Sequence, residues 1–216
     1  MTKSTDVLQS KASAAIHYAN KGFYVLPMIG KKPAIKFANN PRLTTEQVEA
    51  YWRENPDFNI GLRTVQFFVV DVDTKKAHGQ DGFKSLDTLP INDTLYQRTA
   101  SGGLQFLYRQ PKERIGQDVG FRPGIDIKGH KNNYVIVAPS TTEQGQYQWL
   151  NAPMAFNDAD SRLINLIRKD QLNKRHKSLS FTINSLKSRY KTWTGQLLDE
   201  LVKGVGEGQR NDFLTS

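Results

Sequence analysis

Two aspartates one residue apart, Asp71 and Asp73, stand at the end of a very apolar segment, Phe67–Val72. Side chains alternate between the two faces of a strand, so both carboxylates point to the same side, roughly 7 Å apart. Two like charges beside a hydrophobic sheet repel each other and resist desolvation, and a divalent cation relieves both problems. The carboxylate oxygens of the two aspartates are suitable ligands for Mg²⁺ or Mn²⁺. Because a short Asp-x-Asp also occurs at solvated strand tips, further features are needed to support a metal site.

A third carboxylate, Asp126, lies in a predicted strand, Gly124–Lys128, in which two isoleucines face one way and Asp126 and Lys128 the other. A carboxylate beside a lysine can complete a metal and triphosphate site, or it can form a cross-strand ion pair. Arg63 and Lys32, in segments that flank the aspartate strand, are further candidates for contact with phosphate.

A turn of small residues, Ser101-Gly102-Gly103, precedes the strand that begins at Leu104. Glycines allow backbone N–H groups to approach an anion closely, so Ser101 and Gly102 are candidates for contact with a nucleotide. The same residues also suit an ordinary hairpin turn.

The elements that must position these residues are helices near both ends and strands between them. Apolar spacing predicts a helix from Thr5 to Lys21, and the capping box Thr44-Thr45-Glu46-Gln47 predicts one to Asn55. The predicted strands are 23–27, 59–64, 67–73, 95–99, 104–108, 124–128, 134–138 and 147–150, with a short helix within 81–89 and a longer one at 158–170. We expect 59–64 and 67–73 to be neighbouring strands, and 124–128 and 134–138 to form a hairpin. The pattern is typical of an α+β fold.

The composition favours nucleic acid as a partner and argues against several other classes of protein. The net charge is +9, and residues 168–216 hold ten Lys or Arg against five Asp or Glu, which is +5 of that excess. The chain has no cysteine, so it has neither a disulfide nor a Cys-ligated zinc site. No apolar run is long enough to span a membrane and no signal peptide is present, so we expect a cytoplasmic protein. Neither a P-loop nor a paired-histidine relaxase motif is found.

The order of the motifs along roughly residues 10–165 is more specific than any single motif. They read Lys-Lys-Pro, Asn-Ile-Gly-Leu-Arg-Thr, Val-Val-Asp-Val-Asp, Thr-Ala-Ser-Gly-Gly-Leu-Gln-Phe-Leu-Tyr, Gly-Ile-Asp-Ile-Lys-Gly, Tyr-Val-Ile-Val-Ala-Pro-Ser and Gly-Gln-Tyr-Gln-Trp. This series resembles the bifunctional primase–polymerase domain of the archaeo-eukaryotic primase superfamily, which occurs in plasmid, phage and genomic-island replication proteins. The resemblance implies a small α/β lobe, a lobe like an RNA-recognition motif with a mixed or antiparallel sheet, and a helical C-terminal tail.

The resemblance also implies roles for individual residues. Asp71, Asp73 and Asp126 would bind two divalent ions, Mg²⁺ or Mn²⁺, Lys128 would meet the triphosphate, and Ser101 matches the serine of the second motif. That motif normally has a histidine where this chain has Gln105, so weaker nucleotide binding is expected, because glutamine cannot become cationic. His130, in the turn after Asp126, is a candidate substitute or an exposed loop histidine.

The implied organisation is a catalytic domain over residues 1–170, a basic linker over 171–194 and the start of a helical primase C-terminal module over 195–216. The segment Gly206-Glu207-Gly208-Gln209-Arg210-Asn211 resembles the beginning of that module, so we expect a helicase further along the natural protein.

The predicted activity is template-directed nucleotidyl transfer from NTP or dNTP on single-stranded DNA, with a two-metal mechanism, in the replication of a mobile element. Two alternatives stay open. The first is a weakened primase-like module that binds single-stranded DNA or nucleotide for an attached helicase. The second is a glycosyltransferase, because Asp-x-Asp with Mn²⁺ also binds nucleotide sugars, although the third carboxylate, the Ser-Gly-Gly turn and the basic tail argue against it.

Overall fold

The computed structural model describes residues 10–75, 79–151 and 155–189, which form a mixed α+β fold with antiparallel sheets, as predicted. The helices are α1 Lys11–Asn20, α2 Thr45–Glu54, α3 Gly82–Leu86 and α4 Ser161–Arg189. The strands are β1 Val25–Ile29, β2 Lys32–Pro33, β3 Asn59–Arg63, β4 Phe67–Val72, β5 Leu95–Arg98, β6 Leu104–Arg109, β7 Asp118–Arg122, β8 Ile125–Lys128, β9 Tyr134–Val137, β10 Thr141–Thr142, β11 Gly145–Gln146 and β12 Gln148–Trp149.

The two N-terminal helices are set by their caps and by their apolar faces. The side chain of Ser10 caps α1 by accepting from the backbone N–H of Ser13, and the first residues of the predicted helix lie outside the described ranges. The predicted capping box of α2 is confirmed, with Thr44 and Gln47 bonded reciprocally. Trp52 of α2 is buried in the core that both helices share with the sheets.

The strands form a four-stranded sheet, in the order β2-β1-β3-β9, and a six-stranded sheet, in the order β12-β5-β6-β4-β8-β7. A two-stranded hairpin joins β10 to β11. The expectation that β3 and β4 are neighbours is wrong, because the turn between them carries the chain from the four-stranded sheet to the six-stranded one. Both strands are buried along their whole length, so their apolar pattern did not identify their partners.

The predicted hairpin of β8 with β9 is also wrong. Strand β8 pairs with β4 and β7, whereas β9 pairs with β3 in the other sheet. Thr64 holds this crossing, since its backbone N–H donates to the carbonyl of Asn133 and its hydroxyl to the carbonyl of His130. The two segments are strands as predicted, but the five-residue turn between them carries the chain across sheets rather than back along one.

Strand β4 is covered on both faces, which explains its continuous apolar sequence. Phe67 and Val69 belong to the core that contains α1 and α2, whereas Phe68, Val70 and Val72 belong to a second core that includes Leu163 and Ile167 of α4. The odd-numbered face of β4 continues past Val69 to Asp71, so the carboxylate points towards the side on which the four-stranded sheet lies.

Contacts divide the chain into two units, the first ending at Arg168 and the second beginning at Lys169. In the second unit, the described residues continue α4 to Arg189, and Leu172, Leu179 and Phe181 are exposed. The part of the chain predicted to begin a further helical module, 195–216, lies outside the described residues. Among the helices that the structure describes, none has both the length and the apolar character needed to cross a bilayer.

Candidate active site

Four polar side chains form a row across the six-stranded sheet. In the strand register, Gln97 of β5 lies opposite Gln105 of β6, Gln105 lies opposite Asp71 of β4, and Asp71 lies opposite Asp126 of β8. Directly opposite residues in antiparallel strands have their side chains on the same face, about 5 Å apart. The row therefore brings two predicted aspartates and Gln105 together.

Both oxygens of the buried Asp71 carboxylate have partners. Oδ1 accepts a hydrogen bond of 3.0 Å from Nε2 of Gln105, and Oδ2 forms an ion pair of 2.7 Å with Nζ of Lys128. Burial acts to lower the pKa of Lys128, but the charges of Asp71, Asp126 and Asp73 and the hydrogen bond from Asp71 outweigh it, so the pKa lies above its ordinary value. Lys128 is therefore a fixed positive charge beside three carboxylates.

Of the other two carboxylates, Asp73 directly follows β4 and Asp126 is the second residue of β8. Oδ1 of Asp126 accepts a hydrogen bond of 2.8 Å from the backbone N–H of Gly120. The backbone N–H of Asp73 donates to the carbonyl of Gly124, and its own carbonyl accepts from Gly82, so the chain just after β4 is held against the start of β8. The side chains of Asp73 and Asp126 are partly exposed, in contrast to that of Asp71.

A chain of amide hydrogen bonds fixes the orientation of Gln105. The backbone N–H of Ala138 can only donate, and it donates to Oε1 of Gln97 over 3.0 Å. The other end of the Gln97 amide is therefore its NH₂ group. Its Nε2 donates to the carbonyl of Ile136 and to Oε1 of Gln105, each over 2.7 Å. Gln105 consequently presents its own Nε2 to Asp71. Strand β9 of one sheet thus sets the hydrogen-bonding polarity at Asp71 in the other.

The three aspartates, Lys128 and Gln105 line a cavity of about 490 Å³ between the two sheets. Asp71, Asp73, Asp126 and Lys128 come from one side, and Tyr134, Val135 and Ile136 of β9 come from the other, with Lys31, Thr99, Ser101, Gln105, Gln117, Asn132, Asn133 and Tyr147 completing the lining. Burial, together with the charges of Asp71 and Asp73, raises the pKa of Tyr147 to about 12, so its phenol stays protonated at neutral pH. The cavity holds three carboxylates and two lysines, a formal charge of −1.

Arg63 does not line this cavity. Its side chain is buried, its guanidinium donates to the carbonyls of Asn40 at 2.7 Å and Lys131 at 3.2 Å, and it lies over the rings of Tyr24 and Phe37. The structure therefore gives Arg63 a role in joining the loops around β3 rather than a place at the cavity.

The other three predicted nucleotide contacts also lie apart from the cavity lining. Lys32 does not line it, although its neighbour Lys31 does, and His130 is exposed, its Nδ1 accepting from the backbone of Asn132. Gly102 adopts a φ of +88°, and its N–H donates to the carbonyl of Thr99 within the β5–β6 hairpin. The turn therefore explains Gly102, and of the Ser101-Gly102-Gly103 turn only Ser101 lines the cavity.

Sequence reasoning missed Gln97, Lys31 and Tyr147. The signal for Gln97 is its spacing in β5, where it is the buried polar residue between Tyr96 and Arg98. That signal acquires meaning only when the register places Gln97 opposite Gln105. Lys31 and Lys32 differ by one position, and the β1–β2 turn decides which of them faces the cavity.

The donor chemistry of the three aspartates fits a hard divalent cation. Over residues 10–75, 79–151 and 155–189, however, no three His, Asp or Glu side chains are gathered closely enough to hold a metal ion as they stand. At Asp71, Lys128 and Gln105 already occupy both oxygens.

The family of the chain follows from comparison with known proteins. The family model for the bifunctional DNA primase/polymerase N-terminal domain matches residues 15–162, which include every residue of the cavity, so the chain belongs to this family. No curated protein matches the chain. The membership points to DNA primase or polymerase activity and leaves the nucleotide-sugar alternative without support.

Proposed function

We propose that this chain is a template-directed nucleotidyltransferase whose active site is the cavity lined by Asp71, Asp73 and Asp126. The observation that carries the proposal is that Asp71, Asp126 and Lys128 share one face of the six-stranded sheet and, with Asp73 just beyond β4, line a cavity large enough for a nucleotide. The two sheets would correspond to the two lobes of the primase superfamily. Release of pyrophosphate that depends on both template and divalent cation tests the proposal.

The roles follow from the chemistry of each group. Asp71, Asp73 and Asp126 would hold Mg²⁺ or Mn²⁺, which when bound lower the pKa of a primer 3′-hydroxyl and neutralise the triphosphate. Lys128, held charged at the cavity wall, would contact phosphate oxygens and offset the negative charge that develops on them. The hydroxyl of Ser101 lies 3.2 Å from that of Thr99, either of which can donate to the other, and would be a further hydrogen-bonding group for phosphate in the cavity.

A second candidate function, a primase-like module that binds single-stranded DNA or nucleotide without polymerising, is favoured by a specific observation. Both oxygens of Asp71 are occupied by Lys128 and Gln105, so a metal ion would have to compete with an ion pair of 2.7 Å. The two functions differ in one outcome, since the binding module retains DNA affinity but releases no pyrophosphate.

Gln105 provides a prediction about nucleotide affinity. A cationic histidine at this position makes a charge-assisted hydrogen bond to phosphate, worth about tenfold in affinity over a neutral amide. Nε2 of Gln97 already donates to residue 105, however, and therefore disfavours a side chain that carries two donors. We expect Gln105→His alone to raise the affinity for nucleotide by less than about tenfold. Gln105→His combined with Gln97→Met should raise that affinity by the full factor of about ten.

The measurement for this prediction is the dissociation constant of a non-hydrolysable dNTP at pH 6 and pH 8. The gain should be larger at pH 6, where histidine is charged. Gln97→Met alone is the matched control. If neither histidine variant changes affinity at either pH, residue 105 has no phosphate role.

The basic continuation of α4 provides a prediction about DNA. Lys169, Lys174, Arg175, Lys177, Lys187 and Arg189 lie in this part of the helix with Asp170 as the single acid, and Lys174 pairs with Asp170 at 3.1 Å. Contacts of lysine and arginine with phosphates release counterions, so the affinity for DNA falls as salt rises. We call the steepness of log affinity against log salt concentration the salt slope. A chain ending at Arg168 should bind single-stranded DNA with a salt slope lower by about 2 or more.

The truncation keeps the buried residues Leu163 and Ile167, so the first unit should stay folded. The full chain with Arg175→Gln and Lys177→Gln is the matched variant and should lose about 1.4 of the slope, or about 0.7 for each phosphate contact. An unchanged affinity and slope after truncation would show that this segment is only a linker.

A further inference from the structure

Beyond Asp73, the chain enters a second surface cleft, whose charge is opposite to that of the cavity. Three cations, Lys75, Lys84 and Arg122, line a cleft of about 550 Å³ in which Asp81 is the one carboxylate among the described lining residues, a formal charge of +2. The acidic cavity carries −1 by the same count, and a third cleft, beside Lys11 and Asp57, carries no net charge. We name the feature lined by Lys75, Lys84 and Arg122 the basic cleft.

We propose that the basic cleft binds the phosphate backbone of the nucleic-acid strand whose end reacts in, or whose bases are read at, the acidic cavity. This inference rests on the proposed function and assigns a strand-binding site to it. A polyanion is repelled by the net negative charge of the acidic cavity and attracted by an adjacent surface of excess positive charge, so the strand would approach from this side.

The basic cleft lies next to the acidic cavity. Lys75 follows Asp73 by two residues, which sets a limit of roughly 7 Å between their Cα atoms. The carbonyl of Asp73 accepts from the backbone N–H of Gly82 at 3.0 Å, so the residue that contributes a carboxylate to the cavity also anchors the segment that carries Lys84. A strand bound in the cleft would therefore lie close to the aspartates.

The frame of the basic cleft is preformed. The hydroxyl of Ser85 donates to the carbonyl of Pro123 at 2.7 Å, and the backbone N–H of Gly124 donates to Oε1 of Gln80 at 3.0 Å. Gly124 has a φ of +71°, and a Cβ there would come within 2.5 Å of the backbone of Gly82, so glycine is required at this contact. The guanidinium of Arg122 lies 4.1 Å from the centroid of the Phe121 ring, which limits its rotation.

An exposed aromatic side chain adds to the case for a single strand. Phe83, between Asp81 and Lys84 in α3, is 37% exposed and lies outside the three buried clusters. Sites for single-stranded nucleic acid combine cations along the backbone with aromatic rings on which bases stack. Lys75 and Lys84 are themselves exposed, and no ion pair to either is found in the part of the chain that the structure describes.

The test is the binding of a fluorescent single-stranded oligonucleotide to the full chain over a range of salt concentrations. K75A/K84A should lower the salt slope by about 1.4, which is about 0.7 for each of two phosphate contacts, and weaken binding at low salt. R122Q should lower it by roughly a further 0.7. K36A/K112A, which removes two exposed lysines from elsewhere in the first unit, should leave the slope within about 0.3 of the wild type.

The outcomes separate this inference from the proposed function. If the wild-type chain binds the strand and K75A/K84A binds it with the same slope, the basic cleft is not the strand site, and the proposed function stands. If K75A/K84A loses slope but the wild-type chain shows no transfer, the strand site stands and the proposed enzyme does not. Retained binding of a dNTP by K75A/K84A, together with an unchanged urea midpoint, would confirm that the loss is local.

Discussion

Replacement of both Asp71 and Asp73 by asparagine is expected to reduce nucleotidyl transfer by about 10³-fold or more. The physical reason is that the carboxylates would hold the divalent ions, whose stabilisation of transition-state charge is worth several kcal/mol. Asparagine keeps the size of each side chain, and at position 71 its amide oxygen can still accept from Gln105, but the ion pair with Lys128 is lost, so the urea midpoint of the variant is measured alongside its activity. The measurement is the rate of primer extension with saturating dNTP and template in Mg²⁺ and in Mn²⁺.

The matched control neutralises two carboxylates that lie far from the cavity. Glu49→Gln with Glu54→Gln makes the same change of net charge on the exposed face of α2 and should retain full activity. A readout independent of turnover is Mn²⁺ binding by electron paramagnetic resonance, which the aspartate variant should lose. Extension by the aspartate variant at the wild-type rate would remove these residues from the chemistry.

Gln97→Glu is expected to lower the free energy of unfolding by about 3–5 kcal/mol at pH 8, the typical cost of an uncompensated buried charge. Gln97 is fully buried, and its Nε2 lies between two acceptors, the carbonyl of Ile136 and Oε1 of Gln105. A carboxylate oxygen in its place faces both acceptors without a proton to share. Burial raises the pKa of that new carboxyl in the folded state, so the destabilisation is present above this pKa and diminishes as the pH falls below it.

Gln97→Met is the control, since it has similar length but no charge. It leaves the backbone groups of Ala138 and Ile136 without partners, at a cost of about 1–3 kcal/mol that does not depend on pH. Urea denaturation at pH 8 and pH 5.5 distinguishes the two variants. Equal destabilisation by glutamate and methionine at both pH values would contradict the hydrogen-bond polarity assigned to Gln97.

The local elements of this fold were predictable because their signals are local. The capping box fixed the start of α2, and the alternation of side chains along β4 and β8 was enough to place Asp71 with Asp73 and Asp126 with Lys128. The α+β class followed from the order of helices and strands.

Strand partners were not predictable in the same way. Strands β8 and β9 are joined by a turn that is typical of a hairpin, yet they enter different sheets, where β8 pairs with β4 and β9 pairs with β3. Arg63 was misplaced for a related reason, since its position beside the aspartate strand in sequence does not reveal that carbonyls of two loops surround it. The signal at Gln97, a lone glutamine within a strand, could not be interpreted from the sequence, because its role depends on the residue opposite it in the register.

Primer synthesis and extension by the wild-type chain on a single-stranded DNA template would show whether the protein is a template-directed nucleotidyltransferase. The assay follows product length and pyrophosphate release with Mg²⁺ or Mn²⁺, and with ribo- and deoxynucleotides in separate reactions. We expect products whose sequence follows the template, whose formation requires a divalent cation, and which are absent with the Asp71→Asn, Asp73→Asn variant. Tight binding of the template without any product or pyrophosphate, in either metal and with either nucleotide, would contradict this expectation and would leave a module that binds DNA.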